Sequence, residues 1–132
     1  MHHIVRLLKP EGVALVRIPV ADSWAWRHYG ADWVQLDPPR HLFLHTRRSM
    51  DLLAAAAGLK VERVVHDSTA FQFWGSEQYR RGIPLQDPRS YARNPRASAF
   101  SAGEIRTFEA RAAELNACGE GDQACFYLRR AG

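Results

Sequence analysis

The 132-residue sequence lacks the features of membrane-embedded, secreted and disulfide-rich proteins. No apolar run approaches the roughly 18 residues that a bilayer-spanning helix needs, and no cationic start followed by an apolar block indicates a signal peptide. The two cysteines, Cys118 and Cys125, have a spacing that matches no metal motif, and they are most simply reduced thiols. We therefore predict a cytoplasmic protein that neither spans nor binds a membrane.

The sequence also lacks the common motifs of nucleotide binding and hydrolysis. No glycine-rich GxGxxG turn follows a predicted strand, and Gly12 and Gly30 stand alone. Ser68, Ser76 and Cys118 have neither the nucleophile-elbow pattern nor a recognisable base beside them. These absences leave a phosphate cradle and hydrolase chemistry without support.

Charge and composition are those of an ordinary globular domain, with 46% hydrophobic and 24% charged residues. The length suffices for one domain with one core. The net charge of +4 permits contact with nucleic acid, but the one dense basic cluster, Arg80 to Arg96, is typical of a solvated loop. Because the aromatic residues lie among Asp, Gln and Gly rather than Lys and Arg, the sequence argues against nucleic-acid binding.

Hydrophobic periodicity predicts a single α/β domain over residues 1–132. Apolar stripes and capping residues predict three helices, His2–Lys9, Arg47–Ala57 after the N-cap Thr46, and Ser101–Ala117 with Glu104 completing a capping box. Short apolar or alternating runs predict three strands, of which Val13–Ile18 is expected to be a buried parallel strand, and the others are Leu59–Asp67 and Asp122–Arg130. Residues 68–100 show little periodicity and are predicted to be an irregular excursion.

The segment from Ile18 to Thr46 holds three of the four tryptophans, Trp24, Trp26 and Trp33. Asp22 or Ser23 can cap a short helix that ends at Gly30, and extended chain is expected after Pro38-Pro39. Long loops within compact domains are usually functional or disordered, and aromatic residues oppose disorder. The segment is therefore predicted to be a lid or the wall of a substrate pocket.

The histidines of this segment have two candidate roles. His41 and His45 have HxxxH spacing, but Pro38-Pro39 favours extended chain and no glutamate lies between them, so no metal site is predicted. Asp37, Arg40 and His41 can form an acid–base group, since histidine exchanges protons near neutral pH. Alternatively, Asp37 and Arg40 only brace the turn around the two prolines, and this second interpretation is favoured.

Two motifs give the chain a family resemblance. Leu7 to Pro19 (LLKPEGVALVRIP) resembles the helix, KPGG turn and fifth strand of class I S-adenosylmethionine-dependent methyltransferases, with Glu11 in place of a glycine. A second set of residues resembles one subgroup of methyltransferase-domain proteins. It consists of Trp24, Tyr29-Gly30, Trp33, Asp37, Pro39-Arg40-His41-Leu42 and Thr46, followed by a helix that ends in Ala57-Gly58-Leu59.

The resemblance implies a truncated, doubly wound Rossmann-like sheet that contains strands 5, 7 and 6 with flanking helices. It implies the C-terminal half of such an enzyme, without the upstream glycine-rich loop and acidic residue that hold S-adenosylmethionine. The expected function is binding of a small-molecule acceptor. The implied base is His41, and the implied pocket residues are Trp24, Trp26, Trp33, Asp37, Arg40, Phe71 and Trp74. The alternative is a non-catalytic interaction module or subunit derived from a truncated methyltransferase.

The predicted strand Val13–Ile18 raises a question of association. It is apolar on both faces, and without a neighbouring fourth strand one of its edges is bare. A bare apolar edge invites pairing with another chain. We therefore expect self-association, or a partner chain that covers this edge.

Overall fold

A computed structural model describes residues 1–132 of the protein. In chain order, the helices and strands are α1 (His2–Leu7), β1 (Ala14–Pro19), α2 (Trp24–Tyr29), α3 (Arg47–Ala56), β2 (Leu59–His66), α4 (Phe71–Arg80), α5 (Ala102–Ala117) and β3 (Gln123–Arg130). Two 3-10 turns, Gly30–Asp32 and Val34–Leu36, follow α2. None of the helices combines the length and the apolar character needed to cross a bilayer.

The three strands form one sheet in the order β1-β3-β2, with β3 antiparallel to both neighbours. β1 lies at an edge, as the expectation of a bare edge implied. The expectation of a buried parallel strand is wrong, because β1 is only partly buried and its pairing partner is antiparallel. Its side chains alternate between partly buried and exposed, and Leu15 is 53% exposed. The sequence VALVRI does not reveal this position, because apolar side chains on both faces suit an interior strand equally well.

One face of the sheet is covered. Its core consists of the buried residues Val20, Met50, Ala54, Leu59, Ala124, Phe126 and Leu128, against which α1 and α3 pack. The opposite face carries Leu15 and Val65, which are both exposed. In α3, the predicted stripe residues Met50 and Ala54 are buried, whereas Leu53 is 40% exposed at the rim of an apolar hollow beside α1.

The predicted helix starts are confirmed at atomic detail. Thr46 accepts a hydrogen bond from the backbone of Ser49 at 3.1 Å and forms a capping box with it. Ser101 does the same with Glu104. These side chains bond N–H groups that have no partner within the first helical turn, so the helices begin where such residues occur.

Residues 68–100 are not irregular throughout, because α4 occupies Phe71–Arg80. Its buried side chains include Gln72, Ser76 and Gln78, and this polar stripe hid the helix from a search for apolar periodicity. The side-chain amide of Gln78 donates to the Ser90 hydroxyl at 3.0 Å and accepts from the Tyr91 backbone at 2.7 Å. The segment after α4 is thus fixed to the helix by buried hydrogen bonds.

Candidate functional site

A groove of about 590 Å³ opens beside the aromatic segment. It is lined by Gln35, Asp37, Arg40, His41, Phe71, Tyr79, Pro84, Leu85 and Gln86. The loop after β1 supplies one wall and the segment after β2 supplies the other. Because β1 and β2 both run antiparallel to β3, their carboxyl ends lie at the same edge of the sheet. Open α/β sheets bind ligands beyond that edge.

The turn at Pro38-Pro39 shapes the groove. The Arg40 guanidinium pairs with the Asp37 carboxylate at 2.9 Å across the two prolines. Asp37 has a φ of +35°, a left-handed conformation that aspartate tolerates better than most residues. Asp37 and Arg40 therefore brace the turn, as the favoured interpretation predicted. The Arg40 side chain remains 77% exposed and is accessible from the groove.

His41 and Tyr79 place titratable groups on the wall of this groove. The His41 side chain is half-buried, and its backbone N–H lies 3.4 Å from the Asp37 carbonyl oxygen. Burial raises the pKa of the Tyr79 phenol, and the negative charge of Asp37 raises it further. Tyr79 was missed in the sequence because it lies on α4, the helix that periodicity did not predict.

A second pocket of about 440 Å³ lies on the other side of Phe71. It contains Trp74 and Tyr91 together with residues of α5 that include Glu109. Phe71 lines both pockets. The structure therefore brings Asp37, Arg40, His41 and Phe71 together in the first pocket and places Trp74 in the second.

The three tryptophans of the aromatic segment line neither of these pockets and lie in or pack against a buried cluster that includes Tyr29 and Phe73. Trp33 is fully buried, and its indole N–H donates to the Asp122 carboxylate at 2.9 Å. The Trp26 ring meets Trp33 edge-on with centroids 5.9 Å apart. Trp24 stacks on His28 at 4.4 Å. Trp33 consequently offers no surface to a ligand, so its expected place on a pocket wall is corrected to a place in the core.

A buried polar cluster joins β3 to the segment after β2. The Asn116 amide donates to the Ser68 carbonyl at 2.9 Å and accepts from the Ser68 backbone N–H at 3.0 Å. The Ser68 hydroxyl accepts from the Gln123 backbone at 2.9 Å. Burial raises the pKa of the Asp122 carboxyl, against the opposing effect of hydrogen bonds from Trp33 and Ser68. The cluster fixes the start of α4 relative to the sheet, and only the Gly121-Asp122 turn marks it in the sequence.

The acidic residues that follow β1 and β2 both pair with arginines. Asp22, after β1, accepts from the Arg47 backbone at 3.1 Å and from its guanidinium at 3.4 Å. Asp67, after β2, pairs with Arg17 at 2.6 Å. Each carboxylate is therefore already engaged, and no glycine-rich turn lies beside either one. No group of three or more His, Cys, Asp or Glu side chains is arranged to hold a metal ion.

Comparison with known proteins finds a family match for the first half of the chain. Residues 1–64 match a family described as a methyltransferase domain. Over these residues, here called the methyltransferase-domain segment, the chain is similar to that family. The match includes α1, β1, the aromatic segment, α3 and most of β2. No curated protein and no solved structure matches the chain.

Two parts of the chain contribute to the groove. The methyltransferase-domain segment supplies Asp37, Arg40 and His41. Phe71 and Tyr79 lie on α4, beyond the matched residues. The groove thus lies where the family segment meets the rest of the chain.

Proposed function

We propose that this protein forms the acceptor-binding side of an S-adenosylmethionine-dependent methyltransferase. The observation that carries the proposal is the groove beyond the carboxyl end of β1, to which the methyltransferase-domain segment contributes Asp37, Arg40 and His41. Its volume of about 590 Å³ is in the range of small-molecule sites. The expected ligand is therefore a small-molecule acceptor.

The sheet order supports this assignment. The order β1-β3-β2, with β3 reversed between two parallel strands, is the arrangement expected if β1, β3 and β2 correspond to strands 5, 7 and 6 of a methyltransferase sheet. In this proposal the loop after β1 is the acceptor-side loop of that sheet. α4 supplies its second wall through Phe71 and Tyr79.

The chain's own residues have distinct roles in the proposal. Methyl transfer depends chiefly on holding the acceptor in line, so the rigid turn braced by Asp37 and Arg40 positions the acceptor. The exposed Arg40 guanidinium favours an acceptor with an anionic or carbonyl group. His41 is the group proposed to take a proton from the acceptor. The proposal assigns only the acceptor side to this chain and no donor-binding step.

Two measurements test the assignment. In the first, the full chain is titrated with a library of small carboxylates and phenols while backbone amide resonances are followed. Compounds that bind are expected to shift the amides of Arg40, His41 and Phe71, and Arg40→Ala should remove these shifts. His45→Gln is the matched control, because His45 lies outside the groove beside the Ser49 hydroxyl. Binding confined to other surfaces would contradict the proposal.

The second measurement is a calorimetric titration with S-adenosylhomocysteine. The proposal assigns only the acceptor side to this chain, so we expect no binding in the micromolar range. A dissociation constant below about 10 μM, equivalent to roughly 7 kcal/mol of binding free energy, would show that a donor site exists here and would overturn this part of the proposal.

The alternative function, a non-catalytic interaction module, is supported by one specific feature. β1 pairs with β3 along one edge only, and both Leu15 of β1 and the preceding Val13 are exposed. We propose that this edge is covered by a second copy of the chain. Light scattering should then show a mass above that of the 15.0 kDa monomer, and Leu15→Lys should lower it. A wild-type monomer at about 100 μM, well above the range of stable complexes, would contradict self-association.

A further inference from the structure

The pocket behind Phe71 has three aromatic rings on its wall. The centroids of Phe71 and Trp74 are 4.8 Å apart with the rings inclined at 58°. Those of Trp74 and Tyr91 are 5.2 Å apart with the rings at 48°. All three rings line the pocket. The face of an aromatic ring is electron-rich and attracts cations.

The charge around this pocket has a single sign. Glu109 is the one acidic or basic side chain in the lining, and the other non-aromatic residues are Ser68, Thr69, Ala70, Ile105, Ala112, Ala113 and Asn116. The whole protein has 18 Lys and Arg against 14 Asp and Glu and is therefore basic. The lining of this pocket, with a carboxylate and no basic group, differs from the rest of the protein in the sign of its charge. Glu114 on the same helix pairs with Arg111 at 2.7 Å, whereas no basic side chain pairs with Glu109.

The aromatic wall is held in place from behind. The Gln78 side chain is buried and accepts the Tyr91 backbone N–H at 2.7 Å. Its amide also donates to the buried Ser90 hydroxyl. Trp74 and Phe71 lie on the same helix as Gln78, so one element orients all three rings. A wall fixed in this way loses little conformational entropy when a ligand binds.

We propose that this pocket binds an organic ammonium ion, with its methyl or methylene groups against Phe71, Trp74 and Tyr91 and its charge facing Glu109. Ring faces attract such cations, most strongly when water is partly excluded, and a carboxylate adds a compensating charge. The pocket volume of about 440 Å³ accommodates a trimethylammonium-sized group. The proposal concerns binding alone and does not depend on methyl transfer.

Choline and its uncharged carbon isostere, 3,3-dimethylbutan-1-ol, separate attraction of the cation from apolar burial. The chain has four tryptophans, so indole N–H resonances give one signal for each. Choline is expected to shift the signal of Trp74, which Trp74→Phe identifies by its loss. The signal of Trp33 should not move, because Trp33 is fully buried against Asp122. Choline should bind about tenfold more tightly than the isostere.

Paired variants test the two halves of the site. Glu109→Gln should weaken choline binding about three- to tenfold and leave binding of the isostere unchanged. Glu114→Gln, on the same helix but outside the pocket, should change neither. Trp74→Leu should weaken choline binding more than Trp74→Phe, which retains an aromatic face, and dispersed amide spectra will show that both variants fold. Equal affinities for choline and the isostere, an unmoved Trp74 signal at about 50 mM choline, or equal effects of the two glutamate variants would each overturn the proposal.

Discussion

The contact between Trp33 and Asp122 gives the sharpest test of the core. Both residues are buried, and the indole N–H lies 2.9 Å from the carboxylate oxygen that accepts it. The substitution Trp33→Phe removes this donor and shortens the ring, while an aromatic side chain remains. It therefore probes one hydrogen bond and one small volume in the buried cluster that Trp33 forms with Ala25, Tyr29, Phe73, Ala112 and Leu115.

Two contributions determine the expected loss of stability. Leaving a buried carboxylate without this donor costs roughly 1.5–3 kcal/mol. Phenylalanine is smaller by roughly 40 Å³, which at about 24 cal/mol per Å³ of cavity adds about 1 kcal/mol. The sum is about 2.5–4 kcal/mol, a large part of the 5–15 kcal/mol that typically stabilises a domain.

The assay is urea-induced unfolding followed by circular dichroism, with the midpoint and slope fitted for each variant. The control is Trp26→Phe, because Trp26 contacts Trp33 but is only partly buried. We expect Trp26→Phe to cost about 1 kcal/mol or less. If Trp33→Phe destabilised the protein no more than this control, the indole would not be a core donor. The original expectation of a pocket-lining Trp33 would then stand again.

Three further predictions follow from caps, close packing and burial. Ser101→Ala should destabilise the protein by about 1 kcal/mol in thermal unfolding, because it removes the cap of α5, and Ser101→Asp should restore most of that loss. Gly75→Ala should cost about 1–3 kcal/mol, since its new Cβ would lie 2.8 Å from a Val34 methyl group. Gly103→Ala, where the Cβ has space, should stabilise the same protein, and equal effects would refute the packing argument. Because burial raises the pKa of Asp122 above its unfolded value, the folded state retains that proton more strongly. Wild-type stability should then fall relative to Asp122→Asn as the pH rises from about 4 through the raised pKa, by up to about 1.4 kcal/mol per pH unit, and parallel stability curves for the two proteins would contradict this.

Local chemistry explains which parts of the fold could be predicted. Thr46 and Ser101 act on backbone groups three residues away, so their helix starts follow from neighbouring sequence alone. Gly30 likewise ends α2 with a positive φ of 55°. By contrast, α4 was hidden because Gln72, Ser76 and Gln78 are buried polar residues. Their partners include Ser90, which lies outside the helix.

The groove likewise contains residues that the sequence predicts and residues that only the fold brings to it. The groove residues Asp37, Arg40 and His41 lie within a few positions of one another, so the sequence placed them together without knowledge of the fold. Phe71 and Tyr79 join them only because β2 ends at the same edge of the sheet as β1. The position of Trp33 also depends on a distant segment, so the sequence alone predicts a pocket wall where the structure has core. Nothing near it in the sequence shows that Asp122, 89 residues away, accepts its N–H.

By itself, the sequence determined the α/β class, the capped helices and three strands. Those properties depend on hydrophobic periodicity and on contacts within a few residues. Only the tertiary structure decided that β1 pairs antiparallel with β3, that α4 forms, and which aromatic residues are core and which line pockets. Each of these features depends on contacts between residues that are far apart in the sequence. The type of a residue does not show which distant residue it will contact.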